Sequence, residues 1–132
     1  MEPNLAIIKY IFKKNGLNNE DDLIETFFNN GISFAKLVSI IFHVENIPRI
    51  ISIPKNIFHK KMNNEAALQY LCQHDEQINK IHPNYETDKD KNNLLALIIT
   101  KKLFTIDHEN IIIKCNIIFK TFNFQIENKK DF

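Results

Sequence analysis

A chain of 132 residues with 17 basic and 16 acidic side chains, a formal charge of +1 and no basic run longer than two lacks the cationic stripe by which nucleic-acid binders neutralise phosphate, so nucleic acid is not an expected partner. With 2 Gly and 4 Pro, the tight turns of a sandwich or barrel would lack their usual residues, and a 44% hydrophobic content that includes 11 Phe is ample for one all-α core without metal or disulfide. Polar and charged residues interrupt every apolar stretch short of the roughly eighteen needed for a bilayer span, and the first residues show neither the apolar run nor the cleavage site of a secretory signal.

In chain order, Leu5, Ile8, Ile11 and Phe12 repeat at helical spacing and predict a helix over 4–14, ended by a left-handed cap at Gly16. Asn18 and Asn19 before Glu20, Asp21 and Asp22 read as a helix start, with capping amides ahead of carboxylates at the positive end of the dipole; Leu23, Ile24, Phe27 and Phe28 form its apolar face. Asn29-Asn30-Gly31 breaks that helix. Ser33 is the expected cap of the next, whose Phe34, Leu37, Val38, Ile41 and Phe42 fit the i, i+3, i+4, i+7, i+8 template and mark it as the central buried helix.

Residues 45–62, with two prolines and no apolar period, are expected to form a long ordered loop pinned into the core by Ile50, Ile53, Ile57 and Phe58. Asn63 or Asn64 would then cap a helix carrying Ala67, Leu68, Leu71 and Cys72. Thr87 with Asp90 imitates a capping box before Leu94, Leu95, Ile98 and Ile99. After Phe104 a further stripe of Ile111, Ile112, Cys115, Ile118, Phe119 and Phe122 indicates an appended helix over 107–121 and then a polar tail, which divides the chain into a domain at 1–104 and an appendage at 105–132. Phe34, Leu37, Ile41, Phe58, Leu68, Leu71, Leu95 and Ile98 are the expected core.

These segments, in this order, resemble the calponin homology family. DLIETFFNNGISFAKLVSIIF, starting at Asp22, is similar to that family's short helix, Asp-Gly-type turn and central helix, with Asn30-Gly31 in place of Asp-Gly. NIFHKKMNNEAALQYL, starting at Asn56, resembles the family's Asn-x-Phe lead into the next helix, and KIHPNYETDKDKNNLLALIITKKL, starting at Lys80, resembles its Pro-bearing loop and closing helix. The likeness covers about 4–104. It implies a bundle of about four main helices plus short ones. The tryptophans usual in the first and closing helices of actin-binding members are absent, and Tyr10 or Phe12, and Ile98 or Ile99, occupy those regions.

What the resemblance implies about function is protein interaction: weak F-actin binding, or a regulatory contact with another domain, as in Rho-type exchange factors that carry one such module. Microtubule binding, known for other single copies, is an alternative, and a small enzyme a remote one. The family's filament contacts lie in the first and closing helices, so Lys9, Lys13, Lys14, Lys101 and Lys102 are the candidate binding residues. Ile111, Cys115, Ile118 and Phe122 form a candidate docking stripe, for the chain's own domain, for a partner helix or for a homodimer.

No catalytic, cofactor or metal residues are expected. Cys72, His74 and Asp75 bring a thiol, an imidazole and a carboxylate close in sequence, but a helix aims i and i+2 in different directions, whereas nucleophile activation needs hydrogen-bond contact. His43, His59, His74, His82 and His108 lack the close pairing of zinc motifs, and Glu86, Asp88 and Asp90 lack the ligand spacing and glycine of a calcium loop. No phosphate-cradling glycine loop occurs. Cys72 and Cys115, set in apolar helical patterns, read as reduced thiols of a cytoplasmic protein, one associated with the cytoskeleton if the filament reading holds.

Overall fold

The computed structural model describes residues 3–103, and among them every regular element is helical. The first helix, α1, spans Pro3–Lys14 and buries Leu5, Ile8 and Phe12 completely. Pro3 suits a first helical turn, where its missing N–H would have had no partner. The helix ends as the sequence predicts: Gly16 takes φ +74°, its N–H donates to Lys13 O at 3.1 Å, and Leu17 N–H donates to Phe12 O at 2.9 Å. That crossed pair satisfies carbonyls the helix leaves open.

The second helix, α2, is only Ile24–Phe27 and begins later than the sequence suggests. The acidic run is used elsewhere. Asn19 Oδ1 accepts from Asp21 N at 3.3 Å, the Asp21 carboxylate accepts from Ser33 Oγ, and the Asp22 carboxylate receives the Lys9 ammonium, so these side chains tie α2's approach to its neighbours instead of starting a helix. Leu23 is consequently exposed, while Ile24, Phe27 and Phe28 are buried.

The central helix, α3, spans Ile32–Phe42 and buries Phe34, Leu37, Val38 and Ile41, as its periodicity requires. Its cap is not Ser33. Gly31 sits at the cap position with φ +78°, and Asn30 Oδ1 accepts from Ile32 N at 2.9 Å. Left-handed His43 closes the other end.

The longest helix among the described residues, α4, spans Ile57–His74 and starts earlier than expected, because Asn56 Oδ1 accepts from His59 N at 2.9 Å. Asn63 and Asn64 are therefore mid-helix and buried, not caps. Nor do Ile53, Ile57 and Phe58 pin the preceding loop: all three are exposed, and Phe58, expected in the core, is 72% exposed. Buried Ile47 and part-buried Ile50 anchor that loop, together with Asn63. Leu71 is fully buried, whereas Leu68 is only part-buried against the core.

A short helix, α5, at Glu76–Ile81 follows, capped by Asp75 and carrying fully buried Ile78. The next, α6, spans Asp88–Ile98 with the predicted reciprocal box: Thr87 Oγ1 accepts from Asp90 N at 3.1 Å, and Asp90 Oδ2 accepts from Thr87 N at 3.3 Å. It buries Leu94, Leu95 and Ile98 and runs into a π-helical turn, Ile99–Leu103, where Thr100 Oγ1 donates to Ala96 O at 2.9 Å.

Layering follows from these faces. The principal packing seam joins α3 to α4, and α6 closes the other side against α1 and α2. Phe28 lies at the junction, edge-on to Phe27 at 5.1 Å and to Phe34 at 5.2 Å between ring centroids, arrangements favoured by the ring quadrupole. No helix among the described residues is long and apolar enough to cross a membrane. The expected helix over 107–121, with Ile111, Cys115, Ile118 and Phe122, lies outside the described residues.

Candidate functional site

The start of α4 departs most from the sequence reading. The helix's buried residues are Asn63, Asn64, Ala67 and Leu71. At 3.6 residues per turn, Phe58 falls about half a turn round from Ala67, with Met62 beside it on the outer side. Hence Phe58 is 72% exposed and Met62 50%; Ile57, in the first turn of α4, is 75% exposed and Ile53 of the loop 72%. This short stretch contains four of the large exposed hydrophobics among the described residues, and Lys55, Lys60 and Lys61 are interleaved with them.

Next to it lies a cleft of about 590 Å³ whose lining includes Ile57, Lys60, Lys61, Asn64, Tyr85 and Lys91. One wall is aromatic: the Tyr85 ring stacks on Phe28 at 6.0 Å with planes 1° apart. Burial, and then the nearby Glu65 carboxylate, push the Tyr85 hydroxyl up to about 12, so it stays protonated at neutral pH. Two of the lysines stand in loose ion pairs, Lys61 with Glu65 at 3.9 Å and Lys91 with Asp88 at 3.7 Å. Sequence reasoning missed this group because α4 supplies two of its cations and α6 the third, far apart in the chain. The double lysine Lys60-Lys61 after Phe58 is the one signal of it in the sequence, and an expectation of Phe58 in the core hides it.

The predicted filament lysines are distributed differently. Asn4 Nδ2 donates to Asn92 Oδ1 at 2.8 Å and joins the start of α1 to the second turn of α6. From there α1 leads to Lys13 and Lys14 and α6 to Lys101, all exposed. Lys9 is instead engaged by Asp22, whose carboxyl the ammonium holds below its ordinary range through a hydrogen bond and its charge. The side chain of Lys102 lies outside the described residues.

Cys72, His74 and Asp75 do structural work at the end of α4. Burial, and to a lesser degree Asp75, push the Cys72 thiol up, away from the thiolate form a nucleophile needs. His74 Nδ1 lies 2.9 Å from Tyr70 O, and its ring stacks on Tyr70 at 4.0 Å. Asp75 Oδ1 accepts from Ile78 N at 3.0 Å and starts α5. Among the described residues no cluster of three His, Cys, Asp or Glu side chains is placed to hold a metal ion. Comparison with known proteins finds no matching family model, no matching curated protein and no matching solved structure.

Proposed function

We propose that the chain is a non-catalytic protein-interaction module of a cytoskeletal or signalling protein, akin to a single calponin homology copy. The segment-by-segment resemblance over 4–104 supports the family assignment, and the all-helical architecture is compatible with it. The observation that carries the contact function is the exposed apolar stretch of Ile53, Ile57, Phe58 and Met62. Covering such side chains is worth about 1.5–3 kcal/mol each on full burial. The interleaved Lys55, Lys60 and Lys61 suit an acidic protein surface, so the proposed partner is F-actin, with Lys13, Lys14 and Lys101 as a second contact.

A second reading, regulation of an adjacent domain such as a Rho-type exchange factor, is favoured by the Lys9–Asp22 pair, which withdraws one of the filament candidates. Co-sedimentation with F-actin, and separately with microtubules, over a range of salt tests the proposal. Pelleting with F-actin that weakens as salt rises supports it. Pelleting with microtubules alone supports the microtubule alternative, and pelleting with neither supports the regulatory reading.

A further inference from the structure

We infer that the groove between the end of α5 and α6 is the docking site of this chain's own C-terminal stripe, Ile111, Cys115, Ile118 and Phe122, which returns antiparallel to α6 and fills it. The groove, of about 290 Å³, is lined in part by Ile81, Pro83, Asn93, Leu94 and Leu97. Leu94 is buried, but Ile81 is 54% exposed and Leu97 is only part-buried. From α6 the groove takes Asp90, Asn93, Leu94 and Leu97, the i, i+3, i+4, i+7 spacing of one helix face.

The point at which the described chain ends selects the occupant. Leu97 lies about 9 Å back from Leu103 along the helix at 1.5 Å per residue, and the stretch from Leu103 to Ile111 can extend to about 26–29 Å, so a tethered stripe reaches the groove with slack. A connection this short favours an antiparallel neighbour. Ile111 to Phe122 covers about 16 Å as a helix, against about 10 Å from Asp90 to Leu97, enough to span the groove and continue toward Pro83. With Ile111 opposite Leu97, this direction sets Cys115 opposite Asn93 and Lys120 opposite Asp88, an exposed carboxylate held by Lys91 only at 3.7 Å. Charge separates this groove from the exposed stretch at the start of α4. Among the described residues the groove's lining has no lysine and one carboxylate, Asp90, whereas the α4 stretch carries Lys55, Lys60 and Lys61 and repels a segment that brings Lys114 and Lys120. The α4 stretch is thus left for a partner.

Self-docking goes beyond the interaction-module reading and does not depend on it: F-actin pelleting is read separately on the parent chain, and failure of either leaves the other standing. Disulfide trapping in the full chain is the test. With Cys72→Ser, Asn93→Cys leaves Cys115 as the one other thiol, and a disulfide needs the two Cα atoms within about 7 Å. Mild oxidation should give a crosslinked monomer at least about tenfold faster than in the matching Lys36→Cys protein, whose introduced thiol lies in another cleft beside Leu17 and Ile40. Adding Ile118→Glu and Phe122→Glu should bring the Asn93→Cys rate down to that of the Lys36→Cys protein. Should Cys72→Ser fail to melt cooperatively, Cys72→Ala takes its place. Disulfide-linked dimers as the main product would give the groove to a second copy. That result, equal rates for Asn93→Cys and Lys36→Cys, or indifference to the two glutamates would each overturn the assignment.

Discussion

Asn63 pairs with both polar groups of Ile51: its Oδ1 accepts from Ile51 N at 2.6 Å, and its Nδ2 donates to Ile51 O at 2.9 Å. The same Nδ2 donates to Asn30 O at 3.0 Å, so one amide in α4 holds the loop before that helix and the turn before α3. Removing it leaves three part-buried backbone groups without their partner. Asn63→Ala should cost about 2–3 kcal/mol, more than the roughly 1 kcal/mol expected for the helix cap in Asn56→Ala. Urea denaturation of the two variants measures the difference, and equal losses would contradict the clamp.

Gly31 sits against the same asparagine. A Cβ there would fall on the Asn63 side chain and 2.7 Å from Asn64 N, which is backbone and cannot give way. Gly16 has a similar φ, but a Cβ at Gly16 would meet nothing. Gly16→Ala should therefore show only the left-handed strain of about 1–2 kcal/mol, and Gly31→Ala should lose clearly more, because α3 and α4 must move apart. Thermal melts of both variants check the ordering.

Much of the fold is legible in the sequence, and the reasons are local. Gly16, the Phe34–Leu37–Val38–Ile41 stripe and the Thr87–Asp90 box each act through near neighbours, and all three occur as read. The start of α4 is not legible in the sequence because Asn63-Asn64 and Asn56 are equally good caps by composition; the long-range bonds from Asn63 to Asn30 and Ile51 distinguish them. The lysine cleft was illegible for the same reason, since nothing in the sequence says that Lys91 comes beside Lys60.

Leu37 has no exposure and sits on the buried face of α3. Leu37→Ala should cost about 2–5 kcal/mol, the usual range for a buried leucine that leaves a cavity. A melting temperature equal to that of the parent would contradict this placement of α3.

The Cys72 thiol, pushed up by burial and Asp75, should react slowly at neutral pH because the thiolate is the reactive form. In a Cys115→Ser background, iodoacetamide should label Cys72 more slowly in the folded chain than in denaturant, with the folded rate rising at higher pH than for an ordinary cysteine. Equal folded and denatured rates would contradict the assignment.

The interaction-module account turns on Phe58, which either holds the core or meets a partner. Its most direct test is Phe58→Ser, scored for thermal stability and for F-actin pelleting in the same preparation. The account predicts stability within about 0.5 kcal/mol of the parent, as for a surface substitution, together with a clear loss of pelleting. A large fall in stability would return Phe58 to the core, and undiminished pelleting by a stable variant would remove this face from the contact.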